Sequence, residues 1–471
     1  MLFSSTVFLY LFLPCAVAGY YLLYKSRKLQ NIFLLLISLF FYAWGEPKFV
    51  LVMLLSIAAN YIFALLVDKS KKSEKLSCAK LVLGLSVLFN LLILFIFKYL
   101  NFSVDILNSI FNAEIELKKI ALPIGISFFT FQAMSYVIDV YRDKGEVQKN
   151  ILNVGLYISF FPQLIAGPIV RYETIAQQIQ NRKETMDDFL DGFARFIIGF
   201  AKKILLSNTF AVVADFSFDS AGNDISVMMS WLGAACYTLQ IFYDFSGYSD
   251  MAIGLGKMFG FKFLENFNYP YVSTSITEFW RRWHISLGTW FRDYVYIPLG
   301  GSRVSKPRLV FNLFAVWLLT GIWHGANWTF IIWGLMYFVL LTIEKLTGFY
   351  KSSSKAAKPL LWIYSMLFVV IGWVFFRSSS VSDALSYIKI MFCANGSAFC
   401  DEIFISKLRD VAVYLIIGVL FSFPIIPKLR EKVKPNMFLN FVYVVILILL
   451  LVLSVSSIVS NSYNPFIYFN F

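Results

Sequence analysis

Residues 309–343 read LVFNLFAVWLLTGIWHGANWTFIIWGLMYFVLLTI and contain no charged side chain. As one continuous helix they would extend roughly 50 Å at 1.5 Å per residue, well beyond the ~30 Å hydrocarbon core of a bilayer. The run must therefore break. Basic residues lie on both flanks, within 303–308 and 345–358, so the two ends share one side of the membrane and parity demands a hairpin. Gly321, Gly325 and Asn327 mark where it turns.

Outward from this hairpin the pattern repeats. The 471 residues are 59% hydrophobic and 15% charged, against about 25% charged in a soluble domain, which identifies an all-α polytopic membrane protein. No long hydrophilic block interrupts the apolar runs, so residues 1–471 read as a single integral domain. The net charge of +13 does not imply a nucleic-acid partner. Its basic residues sit in short clusters at 25–28, 69–75, 142–149, 182–183, 303–308, 345–358 and 428–434, the bias expected of cytoplasmic loops beside a lipid bilayer.

Spans are expected near 6–24, 31–44, 49–67, 79–99, 120–140, 190–213, from 226 onward, and at 359–376, 409–427 and 437–459. The first run has no basic residue before it and reads as a retained helix rather than a signal peptide. Residues 151–170 start and end on the basic side, and Pro162, Gly167 and Pro168 supply breaks, which predicts a re-entrant segment and a cavity to satisfy its backbone. At YDFSGYSD (243–250) the chain turns polar, and 251–308 is expected at the cytoplasmic face. Five scattered cysteines give no metal-ligand spacing. Only Cys393 and Cys400 are close enough for a bridge, and free thiols are the preferred reading.

The chain has two histidines, and both fall in Trp-rich, Gly-broken segments: IWHGANW holds His324 and RRWHISLGTW holds His284. Either fits a buried structural role or a site, because ionisable groups at depth cost several kcal/mol and mark pathways or chemistry. A reference pKa of about 6.5, lowered by burial, leaves a neutral imidazole able to take a proton from an attacking hydroxyl. That suits acyl transfer from a thioester, whose leaving group is already good, to an alcohol. Asn327 is placed to orient His324 or hold a carbonyl, and equally to cap a helix.

In FWRRWHISLGTWFRDYVYIPLGG (279–301), Trp280, Trp283, His284, Leu287 and Phe291 recur at helical spacing, which predicts an interfacial helix. Its Arg281, Arg282 and Arg292 would then form either a membrane anchor or a rim that draws in a phosphate-bearing donor, with His284 lining the entry. Asp244 is expected to pair with a cation, cap a helix or orient an imidazole. Ser246 and Ser249 lack a Gly-x-Ser-x-Gly setting, and no phosphate loop or metal site is evident.

Read together, YTLQIFYDFSGYSDMAIGLGKMFGF (237–261), NFNYPY (266–271), FWRRWHISLGTWFRDYVYIPLGGSR (279–303), WHGANWTFIIWG (323–334), FFPQLIAGPIVRY (160–172), LPIGISFFTFQ (122–132), GWVFFRS (372–378) and NPFIYFNF (464–471) carry one pattern. It resembles the membrane-bound O-acyltransferase superfamily, in its bacterial branch of alginate and peptidoglycan O-acetyltransferases. The resemblance covers most of the chain. It implies a multi-helix bundle with re-entrant segments, a central funnel and about 10 to 12 crossing helices of membrane-spanning length. It also implies a catalytic His at His324 and a second important His at His284; Trp323, Asn327, Asp244 and the three arginines stand beside them as the substrate-binding candidates of the residue reading.

No tightly bound cofactor or metal follows from the resemblance. It implies acetyl-CoA or another acyl thioester as co-substrate, a separate extracytoplasmic partner of the SGNH-esterase type, a polysaccharide acceptor, and a place in the bacterial cytoplasmic membrane. A transporter or flippase for glycan or lipid-linked intermediates is the alternative, since broken helices suit transporters too.

Overall fold

Apolar segments that cannot hydrogen-bond to lipid must satisfy their backbone internally, and every regular element among the described residues is helical. The computed structural model describes residues 1–118, 120–165, 167–220, 225–351, 356–394, 396–432, 436–460 and 463–467. Parts of two basic clusters (352–355 and 433–435) and residues 468–471 of NPFIYFNF lie outside them. Seven helices among the described residues are long and apolar enough to cross a bilayer, and Phe8–Leu22 is a shorter apolar helix. The protein is a multi-pass membrane protein.

The chain resolves into two compact units, residues 1–196 with 248–264, and residues 197–247 with 265–471. In the first unit, Val50–Lys72 and Leu76–Leu94 are joined by a reciprocal amide pair: Asn60 Nδ2 donates to Asn90 Oδ1 at 3.1 Å and Asn90 Nδ2 returns to Asn60 Oδ1 at 2.8 Å. Such polar contacts glue helices where lipid supplies no hydrophobic drive. Arg182, read from the sequence as a loop charge, is 5% exposed. It donates to the Tyr20 hydroxyl at 2.9 Å and to Asn31 Oδ1 at 2.7 Å, while Arg27 pairs with Glu184 beside it. The 151–170 segment is broken as expected, into Ile151–Ser159 and Phe161–Leu164.

Two long helices, Met186–Ala201 and Val227–Met258, run antiparallel along a glycine seam. In the first unit a Cβ on Gly254 would stand 2.4 Å from Gly192 O; in the second, a Cβ on Gly247 would stand 2.7 Å from Gly199 O. Between these contacts Arg195 pairs with Asp250 at 2.8 Å, and past them Lys203 pairs with Asp244 at 2.6 Å. YDFSGYSD is therefore not a polar loop: it lies inside the Val227–Met258 helix, with Asp244 1% exposed. Its two aspartates are spent on ion pairs along the seam rather than on water, a distinction that composition does not carry.

In the second unit the uncharged run folds as the expected hairpin, Lys306–His324 and Trp328–Thr347, turning at residues 325–327. The legs meet where a Cβ on Gly334 would stand 2.5 Å from Trp317 O. The five cysteines are free.

Because the seam has no room for a methyl group, Gly247→Ala is expected to cost about 1–3 kcal/mol of stability by overpacking. Gly84→Ala, where nothing lies within 4 Å of the new Cβ, is the matched control. Thermal midpoints in detergent check this, and equal midpoints for the two variants would contradict the seam.

Candidate active site

Both histidines lie in the second unit and line one cavity of about 20 Å³, enough for a single water. His324 is the last residue of its helix. The chain then runs extended through Gly325, and Asn327 starts the next helix by accepting the Thr329 N–H at 3.1 Å while its own amide donates to Ser379 O at 2.9 Å. Rings fence the imidazole: Trp333 at 4.9 Å, Phe376 at 5.0 Å and Trp323 at 5.0 Å between centroids, all edge-on.

His284 reaches the same cavity because the helix breaks beneath it. Ile276–Arg282 and Ile285–Phe291 are separate helices, joined through extended Trp283 and a left-handed His284 at φ 45°, ψ 54°. That conformation costs roughly 1–3 kcal/mol for a non-glycine residue and persists only where neighbours over-determine it. Asn266 does so. Its Oδ1 takes the Ser286 N–H at 3.1 Å and the Ser286 hydroxyl at 2.9 Å, lies 3.1 Å from His284 Nδ1, and its main-chain oxygen takes the Ile285 N–H at 2.9 Å.

A backbone N–H only donates, so the Asn266 atom facing it is oxygen, and His284 Nδ1 must be the protonated nitrogen. In the neutral ring Nε2 then carries the lone pair. Nε2 is buried with no hydrogen-bond partner among the described residues, and Phe245 packs edge-on at 4.5 Å. Burial pushes the His284 pKa down to about 3, which keeps the ring uncharged.

Two carboxylates fix these parts. Glu344, fully buried on the second hairpin leg, accepts the Ile276 N–H at 2.7 Å and the Thr277 N–H at 2.8 Å. It thereby ties the hairpin that carries His324 to the helix that precedes His284, through charge-assisted bonds at a helix start. Asp244 lines the cavity itself. Lys203, from a π-helical turn at Lys202–Ser207, holds one of its oxygens, and the Ile467 N–H donates to the other at 3.0 Å.

Of the residues singled out from the sequence, His324, His284 and Asp244 line the cavity, and Trp323 packs against both imidazoles. Arg281, Arg282, Arg292 and Asn327 do not line it. Arg281 is exposed, Arg282 pairs with Glu278 at 2.9 Å, and Arg292 is exposed beside Asp293 at 2.7 Å. The single interfacial helix expected over 280–291 is thus corrected: Asn266 captures His284 and breaks it, and His284 is 2% exposed rather than at a rim. Sequence reasoning missed Asn266, Glu344, Lys203 and Ile467. Glu344 leaves a signal of its own, as a lone carboxylate directly after the uncharged run, while Asn266 and Ile467 lie in the quoted segments NFNYPY and NPFIYFNF without a role of their own.

The sequence profile of the membrane-bound O-acyltransferase family matches residues 39–381. Over 396 residues the chain is 45% identical to a probable alginate O-acetylase of Pseudomonas aeruginosa, covering 83% of this chain and 75% of that relative. It is 41% identical over 493 aligned residues to a probable alginate O-acetylase of Pseudomonas putida, along the full length of both. It is 35% identical over 432 residues to a peptidoglycan O-acetyltransferase of Helicobacter pylori, covering 85% and 81%.

The buried neutral ring of His284 has a measurable cost in acid. Its folded pKa of about 3 lies below the unfolded value of about 6.5, so the unfolded chain binds the proton first. Stability is intact above about pH 6.5 and falls by up to about 1.4 kcal/mol per unit as pH drops toward 3. Between pH 7 and 4.5 the unaltered protein is expected to lose up to about 3 kcal/mol more than His284→Gln, followed as thermal midpoints. Equal losses would contradict a buried, uncharged ring.

Proposed function

The chain belongs to the membrane-bound O-acyltransferase family, and from that premise we propose that it takes an acetyl group from a cytoplasmic thioester, acetyl-CoA, and passes it across the membrane for O-acetylation of an extracytoplasmic polysaccharide. It is an O-acyltransferase that uses an acyl donor. Relatives named for alginate and peptidoglycan acetylation support the acceptor class, and their bacterial sources support a place in the bacterial cytoplasmic membrane. The resemblance supports an SGNH-esterase-type partner that completes transfer to the sugar.

The observation that carries this reading is two imidazoles of unlike character on one small cavity. His324 acts as the general base. It ends the Lys306–His324 helix, where the carbonyl end of the helix dipole stabilises the imidazolium formed on taking a proton. His284 is too weak a base for that task, with its pKa held near 3. Its Nε2 lone pair instead accepts a hydrogen bond from a reacting N–H or O–H and orients it. The acceptor hydroxyl gives its proton to His324 as its oxygen bonds the thioester carbonyl carbon. The C–S bond then breaks, and the imidazolium returns the proton to the leaving sulfur. Surrounding rings keep out bulk water, which protects the thioester from hydrolysis.

Replacing His324 by Gln is expected to lower thioester-dependent acyl transfer at least about a hundredfold. In cells it should abolish surface ester acetate while polysaccharide export continues. Export lost with acetylation retained would overturn the reading in favour of transport.

A further inference from the structure

One wall of the histidine cavity comes from a distant stretch of the chain. Ile467 is 8% exposed and borders the cavity, and its main-chain N–H donates to Asp244 at 3.0 Å. Asp244 is gripped in turn by Lys203 at 2.6 Å, with side chains only 2% and 3% exposed, and Lys203 also donates to Pro465 O. Two more bonds pin the same segment: Asn208 Nδ2 to Asn464 Oδ1 at 3.2 Å, and the Tyr463 hydroxyl to the Asp215 carboxylate. Removing one partner of a buried ion pair leaves the other charge uncompensated, so the two hold together and hold this segment with them.

Other walls are rings locked to one another. Trp280 and Trp333 lie 5.4 Å apart, Trp333 and Phe376 5.4 Å, and Trp373 and Phe376 5.5 Å. A space of about 20 Å³ inside such walls, enough for a single water, matches the methyl end of an acetyl group and little more. A longer chain has to displace a wall. The aromatic walls hold each other in place, whereas Ile467 is a lone aliphatic residue held through its main-chain N–H.

We infer that Ile467 is a specificity-determining residue whose side chain stops the acyl group at two carbons, and that Lys203 and Asp244 are the positioning residues that hold this wall. The inference rests on the reading of the histidine cavity as the place of acyl transfer. Its logic is steric. Truncating Ile467 to Ala removes three carbons from the wall, while the Asp244 bond survives because it is made by the main chain.

The test uses the full chain in detergent or vesicles with acetyl-CoA, butyryl-CoA and hexanoyl-CoA, and scores His324-dependent consumption of each thioester. Ile467→Ala is expected to raise the butyryl-to-acetyl ratio about tenfold or more, the discrimination that one or two methylenes provide in an apolar pocket. Asp244→Asn, which loosens the anchorage without touching the wall's side chain, should move the ratio in the same direction. An unchanged ratio in Ile467→Ala, with acetyl-CoA still consumed through His324, overturns the inference alone. Failure of the unaltered protein to consume any thioester through His324 overturns the functional reading beneath it, and this inference with it.

Discussion

The backbone contact at Gly199 and Gly247 is the constraint from which the site is built. There Met186–Ala201 and Val227–Met258 approach within the reach of a missing Cβ, and the approach sets the register that brings Lys203 to Asp244 a turn beyond. A side chain at Gly247 pushes the helices apart by more than an N–O contact of 2.6 Å tolerates. With Asp244 fixed, Ile467 is fixed through its N–H, and Phe245, the next residue along, stands against His284. Close packing here transmits position because a dense interior does not deform gradually.

Under the proposed mechanism, unlike environments give two identical side chains different work. His284 is trapped by Asn266 in one tautomer, left-handed and uncharged, with Nε2 buried and unpartnered among the described residues. His324 sits on a helix end whose dipole welcomes positive charge. Glu344 couples the pair mechanically: a buried carboxylate on one hairpin leg holds the N-terminus of the helix that leads to the other histidine.

Much of this was legible in the chain, and the boundary is physical. Charge counting located the hairpin and its break, because lipid forbids a helix of that length and Gly325 and Asn327 end one helix and cap the next. The family motifs located both histidines. The break at Trp283 was not legible: the apolar spacing from Trp280 to Phe291 continues at helical period with no Gly or Pro beside His284, and the break is imposed by Asn266, far back in the chain. The arginines misled for the same reason. Their charge announces a polar face, but which way that face turns depends on a backbone kink that local pattern does not encode. Ile467 was silent because an aliphatic residue carries no sign of what it lines.

The central claim is that acyl transfer takes place in the cavity shared by His284 and His324. It is met most directly by a cryo-electron microscopy structure with a non-hydrolysable thioether analogue of acetyl-CoA bound. The account predicts density for the two-carbon end inside that cavity, its carbonyl carbon within about 3–4 Å of where a hydroxyl held by His324 would sit. An analogue that binds with its acyl end elsewhere, leaving the cavity closed around both rings, would contradict it.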